Sequence, residues 1–131
     1  MSENERVDLD SLTDRILRAA IHVHKQLGPG LLESTYETCL EYELNKRGFQ
    51  VERQKGLPVR YDGITLDCGY RIDLLVNGKV IFELKVVDKV TDVHVAQLLT
   101  YLKLSGCKVG LVLNFNVKLL KSGIRRLVNG Y

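Results

Sequence analysis

Asp73, Glu83 and Lys85 are the residues of this chain whose types and spacing could do chemistry together. Both acids fall inside apolar runs, residues 71–76 and 80–87, that flank Asn77-Gly78 and read as a β-hairpin. These runs are apolar on both faces, so they belong in the middle of a sheet. An ionised carboxylate there is unfavourable unless it is paired or faces a cation. Lys85 follows Glu83 by two positions, so the two project from one face of a strand. Two acids and one lysine leave a net negative charge that suits Mg²⁺ or Mn²⁺. Asp73, Glu83 and the carbonyl of Leu84 would supply the protein oxygens. The ion would polarise a scissile phosphate, and Lys85 would orient water or offset charge in the transition state. The competing reading is a structural ion pair in which Lys85 neutralises one acid.

Strand geometry sets a condition on this site. A two-residue Asn77-Gly78 loop would pair Asp73 with Phe82 and send Asp73 and Glu83 to opposite faces. The site therefore requires an odd loop length, or a β-bulge between the turn and Asp73. A three-residue loop with Gly78 left-handed satisfies it.

A helix over residues 90–105 places Gln97 and Tyr101 four apart on one face, with His94 three before Gln97. Val95, Leu98, Leu99 and Leu102 form the stripe that packs on the sheet. Gln97 could hold a phosphate oxygen or the attacking water through its amide, while Tyr101 taken alone reads better as an amphipathic core edge. Glu33 stands in the first turn of an earlier helix, where the helix dipole accepts an acid with or without a further role. His22 and His24 are two apart on a helix and do not share a face, so they are no metal pair.

The elements that must position these residues follow from the pattern. Residues 1–8 read as a flexible leader, and residues 9–131 as a single domain. Leu12, Ile16, Ala19, Ala20, Val23 and Leu27 recur at helical spacing, capped by Asp10 or Ser11 and ended by Gly28-Pro29-Gly30. A second helix covers residues 32–47, with Tyr36, Leu40 and Leu44 as its apolar stripe. Strands are expected over residues 49–53, 59–61, 64–67, 71–76, 80–87 and 109–115. Residues 118–128 read as either a short helix or an edge strand. This order argues for one mixed sheet covered by helices, an α+β arrangement.

The whole has 131 residues, 45% hydrophobic and 27% charged, which is enough to bury a core without disulfides or structural metal. No apolar run is long enough to span a membrane. The acidic, polar start is not a signal peptide. Cys39, Cys68 and Cys107 form no CxxC pair and read as reduced, buried thiols of a cytoplasmic protein. The net charge of +3 permits a polyanionic partner without demanding one.

Asp73 with Glu83-Leu84-Lys85 resembles the D-(E/D)-x-K core of the PD-(D/E)XK nuclease superfamily, and Gln97-x-x-x-Tyr101 resembles the QxxxY motif of its exonuclease-like branch. The whole chain is similar to the GxxExxY protein family, through Gly30-Leu31-Leu32-Glu33-Ser34-Thr35-Tyr36, Val51-Glu52-Arg53-Gln54-Lys55 and Gly69-Tyr70-Arg71-Ile72-Asp73. The resemblance implies a restriction-endonuclease-like core in which Asp73 and Glu83 bind metal and Lys85 is the catalytic lysine. By the same carry-over, Glu33 is an acid from the early helix, and Gln97 and Tyr101 are accessory residues. Ile72 stands where the superfamily motif often has proline. The four-cysteine cluster of some relatives is absent, so no iron–sulfur group is implied. The substrate expected is nucleic acid, DNA first, with phosphate contacts from Arg53, Lys55, Arg60 and Arg71 and a homodimer as an option. The alternative is a non-catalytic nucleic-acid-binding or regulatory module on the same fold.

Overall fold

A computed structural model describes residues 1–131. Two helices come first, α1 (Glu3–Leu27) and α2 (Glu33–Lys46). Five strands follow: β1 (Val51–Gly56), β2 (Val59–Tyr61), β3 (Ile64–Leu66), β4 (Arg71–Val76) and β5 (Val80–Lys85). Helix α3 (Asp92–Ser105), β6 (Val109–Asn114), a 3₁₀ turn (Leu120–Gly123) and β7 (Ile124–Val128) complete the chain. The main sheet has the order β1-β4-β5-β6-β7, while β2 and β3 form a separate two-stranded hairpin. All neighbours in the main sheet are antiparallel except β5 and β6, which α3 connects as a parallel pair. The sheet is mixed and flanked by helices, as a restriction-endonuclease-like core requires.

The two faces of the sheet bury different partners. Ile16, Ala19 and Ala20 of α1 and Tyr36, Leu40 and Leu44 of α2 pack with Leu74, Phe82, Leu111 and Phe115. On the opposite face Leu98, Tyr101 and Leu102 of α3 pack with Ile72, Ile81 and Val112. Gly110 sets the approach of α3, because a β-carbon there would lie 2.8 Å from Leu98 Cδ1. The close contact carries Gln97 and Tyr101 towards the sheet.

Several boundaries differ from the sequence expectation. Helix α1 begins at Glu3 rather than after Asp10, so the expected leader is helical. Ser2 accepts from the Glu5 N–H while Glu5 accepts from the Ser2 N–H, a reciprocal cap that starts the helix early. Strand β1 starts at Val51; Phe49 lies before it, buried under the guanidinium of Arg15. Strand β5 stops at Lys85, and Asn114 then exchanges side-chain hydrogen bonds with both main-chain groups of Val87. The tail is both a 3₁₀ turn and an edge strand. Cys68 is exposed rather than buried, because it lies on the connection from the β2–β3 hairpin; Cys39 and Cys107 are half-buried.

Candidate active site

The Asn77-Gly78 turn decides the register of the central hairpin. Val76 pairs with Val80, leaving three residues in the loop, with Asn77 at φ 53° and Gly78 at φ 64°. Leu75 pairs with Ile81 and Leu74 with Phe82, so the next positions along are Asp73 and Glu83. The odd loop length carries the two acids to neighbouring positions just past the last recorded pair, where they are in direct contact.

The ladder between β4 and β5 ends there and side chains continue it. The Asp73 N–H donates to Glu83 Oε2 at 2.8 Å, and the Leu84 N–H donates to Asp73 Oδ2 at 2.9 Å. An extended residue presents its N–H and C=O to the same neighbouring strand, so the Leu84 carbonyl also faces Asp73. The Lys85 carbonyl turns the other way and accepts from the Phe115 N–H.

Burial and mutual repulsion perturb both acids. Burial, with the Asp73 charge adding to it, pushes the Glu83 carboxyl up to about 8. Burial also raises Asp73, reinforced by Glu37 and opposed by the Leu84 N–H. Glu33 is raised by burial, with Lys85 opposing and Asp73 and Glu37 adding to it, which places it in the same electrostatic neighbourhood. Lys85 is half-buried and forms no salt bridge. Its charge acts on Glu33, Asp73 and Glu83 without being consumed by any one of them.

From α3, Gln97 Nε2 donates to the Tyr101 hydroxyl oxygen at 3.1 Å. The Tyr101 proton is held more tightly than usual, first by burial and then by the charges of Glu83 and Asp73. Its oxygen accepts from Gln97, so the O–H is left free to donate. His94 does not join this row: its Nδ1 accepts from the Thr91 N–H and closes the helix cap. Of the basic candidates, Arg53 is committed to Glu37 and Glu41, and Lys55 to Glu52. Arg60 and Arg71 are exposed and unpaired.

Two polar residues outside the candidate set read from the sequence, Glu37 and Gln54, join the cluster. Glu37 of α2 is only 5% exposed, and its Oε1 accepts from Arg53 Nε at 3.1 Å and from Gln54 Nε2 at 2.7 Å. Gln54 Nε2 also donates to Asp73 Oδ1 at 3.1 Å. Glu37 is one turn after Glu33, so helical spacing could have flagged it. The Tyr36 of the same segment is a structural anchor: its hydroxyl donates to the Gly28 carbonyl and accepts from the Leu31 N–H, and its ring stacks on Phe115.

A family model described as the PD-(D/E)XK nuclease superfamily matches residues 10–127. The chain belongs to that superfamily. No curated protein and no solved structure matches it. Membership in the PD-(D/E)XK nuclease superfamily implies a divalent cation, and the donor set accommodates one. The nearby protein oxygens are hard carboxylates that repel one another, and they share a lysine that no ion pair holds. No three carboxylates, thiols or imidazoles converge as a ready-made chelate.

Proposed function

We propose that this chain is a metal-dependent nuclease that hydrolyses phosphodiester bonds of nucleic acid, with DNA as its substrate. The contacts that join Asp73 to Glu83 and Leu84 at the end of the β4–β5 hairpin support the reading, with Lys85 two positions after Glu83 on β5. Asp73, Glu83 and the Leu84 carbonyl would hold Mg²⁺ or Mn²⁺. When bound, such an ion supplies Lewis acidity towards a phosphate oxygen and makes water a better nucleophile.

The chain's own groups do the rest. The Lys85 ammonium orients water or offsets charge on the phosphate. Tyr101, fixed by Gln97, offers its hydroxyl proton to an oxygen of the substrate. Glu33 adds a carboxylate from the α2 side. Arg60 and Arg71 are the unpaired cations available to phosphates beside the site, whereas Arg53 serves α2. Nothing about these contacts reads base edges, so recognition is of structure or ends.

The GxxExxY family is the closer assignment within the superfamily that the motifs favour. It rests on Gly30, Glu33 and Tyr36 together with Gln97 and Tyr101. No helix is long and apolar enough to cross a membrane. We place the protein in the cytoplasm on its three free thiols. A homodimer would let two sites act on two strands.

The deciding experiment is cleavage of labelled single-stranded, duplex and branched DNA and of RNA, in Mg²⁺, Mn²⁺ or EDTA. Asp73→Ala and Lys85→Ala serve as controls. Cleavage that requires the cation and disappears in both variants supports the reading. Activity surviving in both variants refutes this site as its source. A cation-induced thermal shift without cleavage of any substrate assigns the chain to the binding-module reading.

A further inference from the structure

Three residues other than glycine have positive φ: Gln54, Asp62 and Asn77. Asp62 and Asn77 precede glycines in hairpin turns, where short polar side chains tolerate the left-handed region. Gln54, at φ 52°, lies inside β1 and has a long side chain. Its conformation has no turn to serve, and strain of this kind is retained where the surroundings impose it.

The consequence of that backbone is visible on both strands. The β1–β4 ladder runs from Val51–Val76 to Gly56–Arg71 but skips Gln54 and Asp73. Alternation would send Arg53 and Gln54 to opposite faces, yet both bond Glu37. On β4, Ile72 packs with the α3 cluster while Leu74, two positions on, packs with the α1 and α2 cluster. The irregularity therefore brings the Gln54 amide to Asp73.

The chemistry of the contact fixes the amide's orientation. Carboxylates only accept, so the amide nitrogen faces both Glu37 and Asp73 and gives one N–H to each. Asp73 then has one hydrogen bond on each oxygen, from Gln54 on Oδ1 and from Leu84 on Oδ2. That arrangement sets the plane of the carboxylate. Glu37 is itself held by Arg53, so the amide is anchored to α2.

We propose that Gln54 is a positioning residue, whose left-handed backbone aims its amide so that the Asp73 carboxylate is held at a fixed angle against Glu37 of α2. The idea rests on the nuclease reading for its functional consequence, but not for its geometry. The test is Gln54→Gly, which removes both the amide and the backbone strain, compared with Gln54→Asn. Asparagine also tolerates the left-handed region, but it is one methylene too short to reach both acids.

Expected for both variants is at least fivefold weaker Mn²⁺ binding by calorimetry. For Gln54→Gly the thermal midpoint should be no lower than that of the unmodified chain. Where cleavage is measurable, kcat should fall with KM for DNA unchanged. A residue that merely stabilised the fold would show the reverse, lower stability with full Mn²⁺ affinity, and that result overturns the proposal. If Gln54→Gly fails to fold, Gln54→Asn carries the same comparison. If the unmodified chain binds no Mn²⁺, the nuclease reading falls and a crystal structure of the metal-free variant judges Gln54 alone. A rotated Asp73 carboxylate there upholds the positioning role, and an unmoved one ends it.

Discussion

The main-chain N–H of Asp73 donates to the carboxylate of Glu83 at 2.8 Å, so one site acid is fastened to the backbone of the other. A reciprocal bond from the Leu84 N–H fastens Asp73 in turn. These bonds stand where the ladder between β4 and β5 would continue. The acids are therefore part of the sheet's hydrogen bonding as well as of the proposed chemistry, and substitutions that keep an acceptor oxygen separate the two roles.

Glu83→Gln makes that separation and has a pH signature. The Glu83 carboxyl rises from an ordinary 4.5 to about 8 in the folded chain. Between those values the native state holds a proton that the unfolded state has released. Stability of the metal-free protein is then fully present below about pH 4.5 and falls as pH rises through about 8. The slope from this group is at most about 1.4 kcal/mol per pH unit. Chemical denaturation at stepped pH should show that decline in the parent chain and a flatter profile in Glu83→Gln. Equal slopes would remove Glu83 as the cause.

Lys85→Met should separate catalysis from folding. A lysine buried in a structural ion pair loses about 3–5 kcal/mol when its partner is stranded. Lys85 has no such partner, so the expected loss near pH 6 is under about 1 kcal/mol. Cleavage should nonetheless fall by about 100-fold or more. Urea midpoints and initial rates measured on one preparation check both numbers, and a large stability loss would restore the ion-pair interpretation.

The turn at Asn77-Gly78 predicts an order of effects. Gly78→Ala places a β-carbon at φ 64° and should cost about 1–2 kcal/mol. Asn77→Ala should cost more. It loses the residue type that tolerates φ 53°, and it also loses the bond from the Gln50 N–H to Asn77 Oδ1 at 2.8 Å. Thermal unfolding of the two variants side by side tests the ranking.

Tyr36→Phe keeps the stack on Phe115 and removes the hydroxyl that joins Gly28 to Leu31. The expected loss is about 1–3 kcal/mol, the usual consequence of leaving half-buried main-chain groups without their partner. Glu33, at the start of the same helix, should then contribute less to activity. Hydrogen exchange confined to residues 28–33 would locate the loosening, whereas unchanged protection there would contradict the anchor role.

Much of this arrangement was legible from residue order. Helical periodicity located α2 and α3, and Asp62-Gly63 and Asn77-Gly78 marked both hairpin turns. The requirement that Asp73 and Glu83 share a face called for either an odd loop or a β-bulge, and the loop between Val76 and Val80 has three residues. What the sequence could not show was Gln54, because a glutamine in a charged strand carries no sign that its backbone is left-handed. Glu37 was hidden for a related reason: its partners Arg53 and Gln54 come from β1, and only the packing of α2 on the sheet brings them together. The early start of α1 was missed for a simpler reason. A polar stretch offers no hydrophobic period, and its start is marked only by the Ser2–Glu5 capping pair. The match to residues 10–127 supports the fold and the superfamily; the roles of individual side chains rest on the geometry argued above.

The outermost strands of the main sheet are β1 and β7. Glu52, Arg53, Gln54 and Lys55 occupy the first border, and Arg125 and Arg126 sit on the second. Open borders are templates on which further strands can add, and charge along them is what discourages this. Neither margin of this sheet invites a second sheet to extend it, and the left-handed Gln54 makes the β1 margin irregular as well. Self-association by strand addition is therefore disfavoured at both ends, and any pairing of two copies would have to use the helices or the β2–β3 arm.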